Sequence, residues 1–386
     1  FLLSKDWIAL VNLSPQQVRK LRLRAQGLEP RAAREALPDA VRAVVGIQAQ
    51  SHPALALALR ARVAGLTMGD VQEAVHLRRS LARTWTMRGT LHLSAAEDVR
   101  WLVPLLGPLF IRAGRRRRLQ LGLNDEKAAR GMAVMRTVLR QRGPLTRDEL
   151  VAALNAQGLA LERRSQAPIH LIGLAALEGI VCYGPEAGNG EETFVLFDDW
   201  VGEPEVRPEE AALAELARRY VSGYGPVDLR DFARWSGLPM AAARKAWGLV
   251  DGEPGFVRAQ IGDRAVLVAA AELAGLSKQA DGSPVARLLP AFDAYILGYA
   301  QRDLLVRPEY QGEVYHGGQT VPVVLVDGQV AGVWRYKRQG RRLTVTVQAF
   351  DSFDPEVERL IAEEADDVGR FWQMPVSLRI EQGGSA

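Results

Sequence analysis

Gly143-Pro144-Leu145, with Leu150 just beyond, returns as Gly225-Pro226-Val227 with Phe232 at a shift of 82 residues, and the same order of elements can be read around both copies. In the first copy a helix through Met132 to Arg142 stops at Gly143-Pro144. Thr146 and Glu149 form a capping box for a helix over Leu150 to Leu154, and Ser165 opens a third helix through Ile169, Leu171, Ile172 and Leu177. Ile180 to Tyr183 and Thr193 to Phe197 then read as strands on either side of a glycine-rich tip, Pro185 to Glu192. The second copy has helices over Pro208 to Tyr220, Leu229 to Trp235 and Met240 to Trp247, and a hairpin of Phe256 to Ile261 and Ala265 to Ala269. Helix, helix, helix, hairpin is the outline of a winged helix.

The chain ahead of these copies fits the same outline. Ser14-Pro15-Gln16-Gln17 is a capping box with proline at the first helical position, opening a helix through Val18, Leu21 and Leu23 that stops near Gly27. Ala36 to Val63 reads as a helix, a link and a second helix, and Arg83 to Leu93 alternates apolar and polar about a turn at Arg88-Gly89. Another helix is expected from Ser94, capped by Glu97, past Trp101 and Pro104 to Arg112 and the run Arg115-Arg116-Arg117-Arg118. The last hundred residues change texture. Val321 to Val326, Gln329 to Lys337 and Arg341 to Ala349 read as strands, Asp354-Pro355 caps a helix ending near Phe371, and 376–380 can add a strand. Ala280 to Pro284 reads as a linker and the closing Gly-Gly-Ser-Ala as frayed. The expectation is an α+β chain, predominantly helical: winged-helix domains over 1–123, 124–204 and 205–284, then a β-rich domain over 285–386.

Charge is distributed unevenly over this plan. Residues 1–123 carry twenty Lys and Arg against eight Asp and Glu, while the rest carries 29 against 37, so the excess of cation is confined to one third of the chain. Nearly all of it is arginine, whose planar fork suits phosphate oxygens, and a polyanionic partner is expected. No apolar run reaches the length of a membrane span, and the reading is a cytoplasmic protein, nucleoid-associated when on DNA. The single cysteine, Cys182, excludes an intrachain disulfide framework and reads as packing. There is no phosphate-cradling loop ending in Lys-Ser/Thr, no GxGxxG, no GxSxG and no HExxH, and the five histidines are scattered, so neither metal nor cofactor is expected. The chain reads as a monomer without an obligatory protein partner.

The remaining candidate for chemistry is Val45-Gly46-Ile47-Gln48-Ala49-Gln50-Ser51-His52-Pro53. Proline suits the first turn of a helix and discourages helix just before it, so Gln48 to His52 is predicted as a connection between helices. Residues i and i+2 diverge on a helix but share a face in an extended segment, and an extended link aims both amides at one point. Read alone, such a pair is more often a capping or hydrogen-bonding feature than a catalyst.

VVGIQAQSHP at 44–53, RTWTMRGTLHL at 83–93 and LLPAFDAYILGYAQRD at 288–303 together, and in this order, resemble the AlkZ-like DNA glycosylases. That resemblance implies three winged helices and a C-terminal β domain in a C-shape, with duplex DNA in the concave face. It implies removal of N7-alkylguanines and the unhooking of interstrand crosslinks. The family's Gln-x-Gln motif falls on Gln48 and Gln50, and an acidic residue that often follows it is replaced here by Ser51-His52. Its implied partner is double-stranded DNA carrying alkylated purines. His52 and Asp293, the latter in Pro290-Ala-Phe-Asp, are further candidates for catalytic or site-supporting groups, with backbone capping the competing role for Asp293. Arg88 and Arg115, Arg116, Arg117 and Arg118 are the candidate phosphate contacts. The rival reading is a winged-helix regulator or architectural protein without activity.

Overall fold

The structure, a computed structural model, describes residues 11–188, 190–276 and 283–381. The closing Gly-Gly-Ser-Ala and most of the linker read at 280–284 lie outside them. The described residues form two compact units. One takes Ala32–Glu215 with Ser236–Leu238. The other takes the chain up to Arg31, then Leu216–Trp235, then everything from Pro239.

The first of these units contains two copies of one plan. In each, a helix is followed by a two-residue strand, two more helices and a hairpin, and the short strand pairs with the second hairpin strand. Ile47–Gln48 lies antiparallel to Leu91–Ala95, which pairs with Leu81–Trp85. Leu145–Thr146 lies antiparallel to Glu192–Leu196, which pairs with Val181–Glu186. Local chemistry sets the boundaries. Asn124 caps the helix Asp125–Arg142 through the amide of Lys127 at 2.8 Å, and Gly143, at φ +77°, ends it in a conformation that side chains resist. Thr146 and Glu149 make the expected reciprocal box at the start of Arg147–Ala156. The long helix Ala96–Gln120 carries Pro104 and Pro108. Its Gly107 lies so close to the Leu177 carbonyl that a Cβ would approach to 2.1 Å, so only glycine permits the contact with helix Ala167–Leu177.

Two expected caps differ. Ser94 does not open a helix: it belongs to the strand Leu91–Ala95, is fully buried, and the helix begins at Ala96 without a side-chain cap. Glu97 instead pairs with Arg42, a partner invisible to local pattern. The third helix of the second copy starts at Ala167, with Ser165 accepting from its amide at 3.2 Å.

The other unit holds the third copy. Glu209–Tyr224, Leu229–Ser236 and Met240–Val250 are its helices, the first beginning before the division, and Phe256–Ile261 and Arg264–Ala269 form its hairpin. Val227 bridges to Leu267 on the second hairpin strand, as the short strands do in the other copies. The opening helix Pro15–Ala25, capped as expected by Ser14 and Gln17, buries Val18 and Leu21 against Ala259, Ile261, Val266 and Val268. Its apolar side therefore serves the third hairpin, and the helices preceding the first hairpin begin at Leu37. The C-terminal sheet runs in the order Ala286–Leu289, Val323–Val326, Gln329–Gln339, Arg342–Ala349, Val376–Glu381, including a first strand that the sequence pattern did not announce. Its last pair is parallel, joined by helix Pro355–Trp372, whose apolar residues Val357, Ile361, Ala365, Val368 and Phe371 are buried.

The arginine excess is only partly a surface property. Arg22, Arg60, Arg62, Arg83 and Arg118 are buried. Arg22, for example, donates to the Pro226 carbonyl and lies over the Tyr299 ring at 3.7 Å. Guanidinium is weakly hydrated and satisfies several acceptors at once, which is why arginine rather than lysine can be enclosed this way. No helix among the described residues is long and apolar enough to cross a membrane. Cys182 is buried, and burial pushes its thiol up and away from reactivity.

Candidate active site

The Gln link is extended because its neighbours forbid helix. Helix Leu37–Ala43 ends, Val45 takes φ +65°, and Gly46 passes within 2.3 Å, measured to a notional Cβ, of the Ser94 hydroxyl. A side chain at Gly46 would push the link off the sheet. Ile47 and Gln48 then pair with Leu93 and His92, and the Ala49 amide continues the ladder by donating to the Leu91 carbonyl at 2.8 Å. Ser51 caps the next helix, whose first turn contains Pro53. Gln48 and Gln50 thus lie two apart on an extended strand, and their amides meet: Gln48 Nε2 donates to Gln50 Oε1 at 2.6 Å. Gln48 is half-buried and Gln50 exposed. The bond uses one of the two Gln48 N–H donors and one of the two Gln50 Oε1 lone pairs, so both amides keep donor and acceptor capacity for a ligand, the second Gln50 lone pair included.

Directly across the strand from Gln48 stands His92, which is buried. Burial, helped by the charge of Arg88, drives its pKa down to about 3, so the ring is neutral at ordinary pH. Its Nδ1 lies 2.9 Å from the Thr90 carbonyl, which requires the proton on Nδ1 and leaves Nε2 as an acceptor.

His52, in the first turn after the link, joins a cluster that sequence reasoning did not foresee. Glu192, the first residue of the second copy's central strand, takes hydrogen bonds on one carboxylate oxygen from both His52 Nε2 and Arg83. The 2.7 Å approach of Arg83 to His52 Nε2 is then the side-by-side contact of two donors sharing one acceptor. Burial opposes ionisation of Glu192, but the hydrogen bonds from His52 and Arg83 and the Arg83 charge prevail and hold it at about 2. A carboxylate thus reaches the link from far along the chain. Arg83 also donates from Nε to the Ala49 carbonyl at 3.0 Å and lies over the Tyr183 ring at 4.1 Å. Tyr183 in turn stacks on Trp85 with centroids 5.7 Å apart.

The other candidates are dispersed. Arg88 sits at the first hairpin's turn with φ +56° and, together with Arg118, Trp85, Phe110 and His170, lines a cleft of about 410 Å³. Arg118 is buried and donates to the Ile111 carbonyl, whereas Arg115, Arg116 and Arg117 are exposed. Arg115 pairs with Asp125, and Arg117 reaches Gln166 at 2.7 Å. The run is therefore split by the helix, three arginines toward solvent and one inward. Asp293 is fully enclosed and caps Ala294–Leu297, its Oδ1 accepting from the Tyr295 amide at 2.8 Å. Arg83 lies inside the quoted hairpin motif, but nothing in its alternation marks it as a partner of Ala49. Glu192 is 109 residues from Arg83 and 140 from His52, and no local signal could connect them.

The family model for the AlkZ-like DNA glycosylases matches residues 41–371. An interstrand DNA cross-link repair glycosylase of Streptomyces sahachiroi is 31% identical over 379 residues, covering 92% of this chain and 95% of that protein. The solved structure of the Streptomyces sahachiroi DNA glycosylase AlkZ superposes with a TM-score of 0.81 at 27% identity, over 96% of this chain and all of that one. The chain belongs to the AlkZ-like DNA glycosylases.

Proposed function

We propose that this glycosylase removes cationic N7-alkylguanine adducts, N3-alkyladenine among the related substrates, and unhooks interstrand crosslinks of the same chemistry, with Gln50 holding the attacking water and Gln48 holding Gln50. The reading is carried by the Gln48 to Gln50 hydrogen bond on an exposed, extended link. Hydrolysis of an ordinary N-glycosidic bond calls for an acid at the leaving base and a carboxylate near the sugar. An N7-alkylated guanine needs no acid. When its bond to C1′ breaks, the electron pair neutralises the ring's own positive charge and the base departs neutral. Water adds its oxygen to C1′, leaving an abasic sugar, and one proton passes to solvent.

Two amides suffice for what is left. A carbonyl oxygen accepts from the water and fixes its lone pair on C1′, while amide dipoles place partial negative charge beside the developing oxocarbenium. Such positioning and electrostatic help is worth roughly two to four kcal/mol. The bond from Gln48 orients the Gln50 carbonyl, which retains a second lone pair for water. Asp293, enclosed and capping a helix, takes no step in this scheme. Crosslinks favour it too, because a base tethered to the opposite strand cannot be swung deep into a pocket and an exposed link can meet it in place.

The test is alkali-revealed strand cleavage on DNA containing 7-methylguanine, comparing wild type with Gln50→Ala and Gln48→Ala. Base release should fall in both, more at Gln50, with DNA binding retained. Release of uracil at a comparable rate would overturn the dependence on a cationic lesion, and full release by Gln50→Ala would overturn the role of the amides.

A further inference from the structure

Resting on that reading of the Gln pair, we infer that Arg83 is the positioning residue for the two amides and that Glu192, supplied by the second hairpin, holds Arg83 in register. Ala49 is the hinge between Gln48 and Gln50, and it is tied at both ends of its backbone. Its amide donates to Leu91 at 2.8 Å and its carbonyl accepts from Arg83 Nε at 3.0 Å. With both peptide planes fixed and its side chain fully buried, Ala49 cannot rotate, and the two glutamine Cα–Cβ directions follow. The first tie is ordinary sheet ladder. The second depends on one side chain reaching back across the sheet.

A guanidinium on a flexible stem holds a carbonyl in a fixed place only when its other edges are also engaged. Here they are. The face lies over Tyr183, itself packed on Phe194 with centroids 4.6 Å apart, and Nη1 is bonded to Glu192. Glu192 also takes His52, in the first turn of the helix that the link enters. The link is thereby gripped at Ala49 and again at His52 by groups converging on one carboxylate. Arg83 is 8% exposed, and its Nε, its Nη1 and one face are committed to these contacts.

The experiment uses the full chain on 7-methylguanine duplex, measuring single-turnover base release and duplex binding separately. Arg83→Ala should lower the release rate about a hundredfold, the loss expected from a misplacement of about 1 Å. Glu192→Gln, which keeps shape and acceptor but not charge, should lower it about tenfold. Binding of undamaged duplex should change less than twofold in either. Added guanidinium should restore part of the rate to Arg83→Ala, and the double variant should be no slower than Arg83→Ala alone, since both act on one contact. Because Glu192 stands nearer the surface, its variant reports even if Arg83→Ala fails to fold. Gln50→Ala run beside them separates the two claims. If it retains release, the amide mechanism falls. If it loses release while Glu192→Gln and Arg83→Lys keep the wild-type rate, the positioning role is overturned.

Discussion

The junction between the short strand and the second helix appears twice in the same unit, and the two versions differ by three residues. In the second copy Leu145 pairs in the sheet and the helix starts two residues later, at Arg147. In the first copy Ile47 occupies that register and the helix waits until His52. The insertion is Ala49-Gln50-Ser51. It moves the capping duty from the strand's end to Ser51, and that changes what the strand's last residue is free to do. Thr146 spends its hydroxyl on its own helix, accepting from Glu149. Gln48, at the same register, has no helix to cap and turns its amide to Gln50 instead. One scaffold makes a self-satisfied turn in one place and an unspent pair of amides in another.

The sharpest way to break this contrast is a crossed pair of substitutions. Gln50→Ala should reduce base release by about a hundredfold to a thousandfold, the usual cost of losing one positioned polar group at a reacting centre, without lowering the melting temperature. Thr146→Ala should leave release unchanged and cost about 1 kcal/mol in chemical denaturation. If Thr146→Ala also abolished release, the two junctions would not be functionally distinct.

Acid should separate the copies next. Opposite Gln48 stands His92, and opposite Thr146 stands Thr193, which does not titrate. The unfolded chain takes up a proton at the ordinary histidine value of 6.5, while the folded one refuses it down to about 3, so stability falls as pH drops through that window. The slope is about 1.4 kcal/mol per pH unit, and His92→Gln should flatten it in pH-dependent unfolding. Glu192 adds to the acid loss at lower pH. Its carboxyl ionises at about 2 rather than 4.5, so its contribution is complete above 4.5 and disappears as pH falls toward 2.

The smallest expected effect concerns DNA affinity. The first hairpin is followed by a helix ending in Arg115 to Arg118, the second by Phe197–Val201 with Asp198 and Asp199. Arg116→Ala with Arg117→Ala should weaken binding to any duplex and shrink the slope of log K against log salt by about two, whereas Asp198→Asn should leave that slope alone. An unaltered slope in the arginine variant would remove those residues from the interface.

What the sequence made legible was what short range determines. The boxes at Ser14/Gln17 and Thr146/Glu149 close within three residues, and hairpin alternation needs no distant partner, so these elements stand where the pattern puts them. Ser94 and Glu97 have the spacing of a cap but lose it to the third dimension, one to a buried strand, the other to Arg42. The charge count could not tell Arg116, on the surface, from Arg60 and Arg62, fully enclosed. At the candidate site the glutamines could be read because an extended link aims i and i+2 together. Arg83 and Glu192 could not, because a carboxylate 109 residues away leaves no periodic trace.

The three-residue difference between the junctions also sets a scale for redesign. Lengthening the Leu145–Thr146 turn by Ala-Gln-Ser, and placing glutamine at Thr146, would recreate the first link's spacing on the second copy. It would lack the guanidinium grip, since Tyr183 pairs with Phe194 in that sheet and offers no equivalent of Arg83. Under the proposed mechanism a transplanted motif would need its distant arginine and carboxylate carried along with it, so its shortest heritable unit is three separated stretches of gene, one for the amides, one for the hand that steadies them and one for the group that holds that hand.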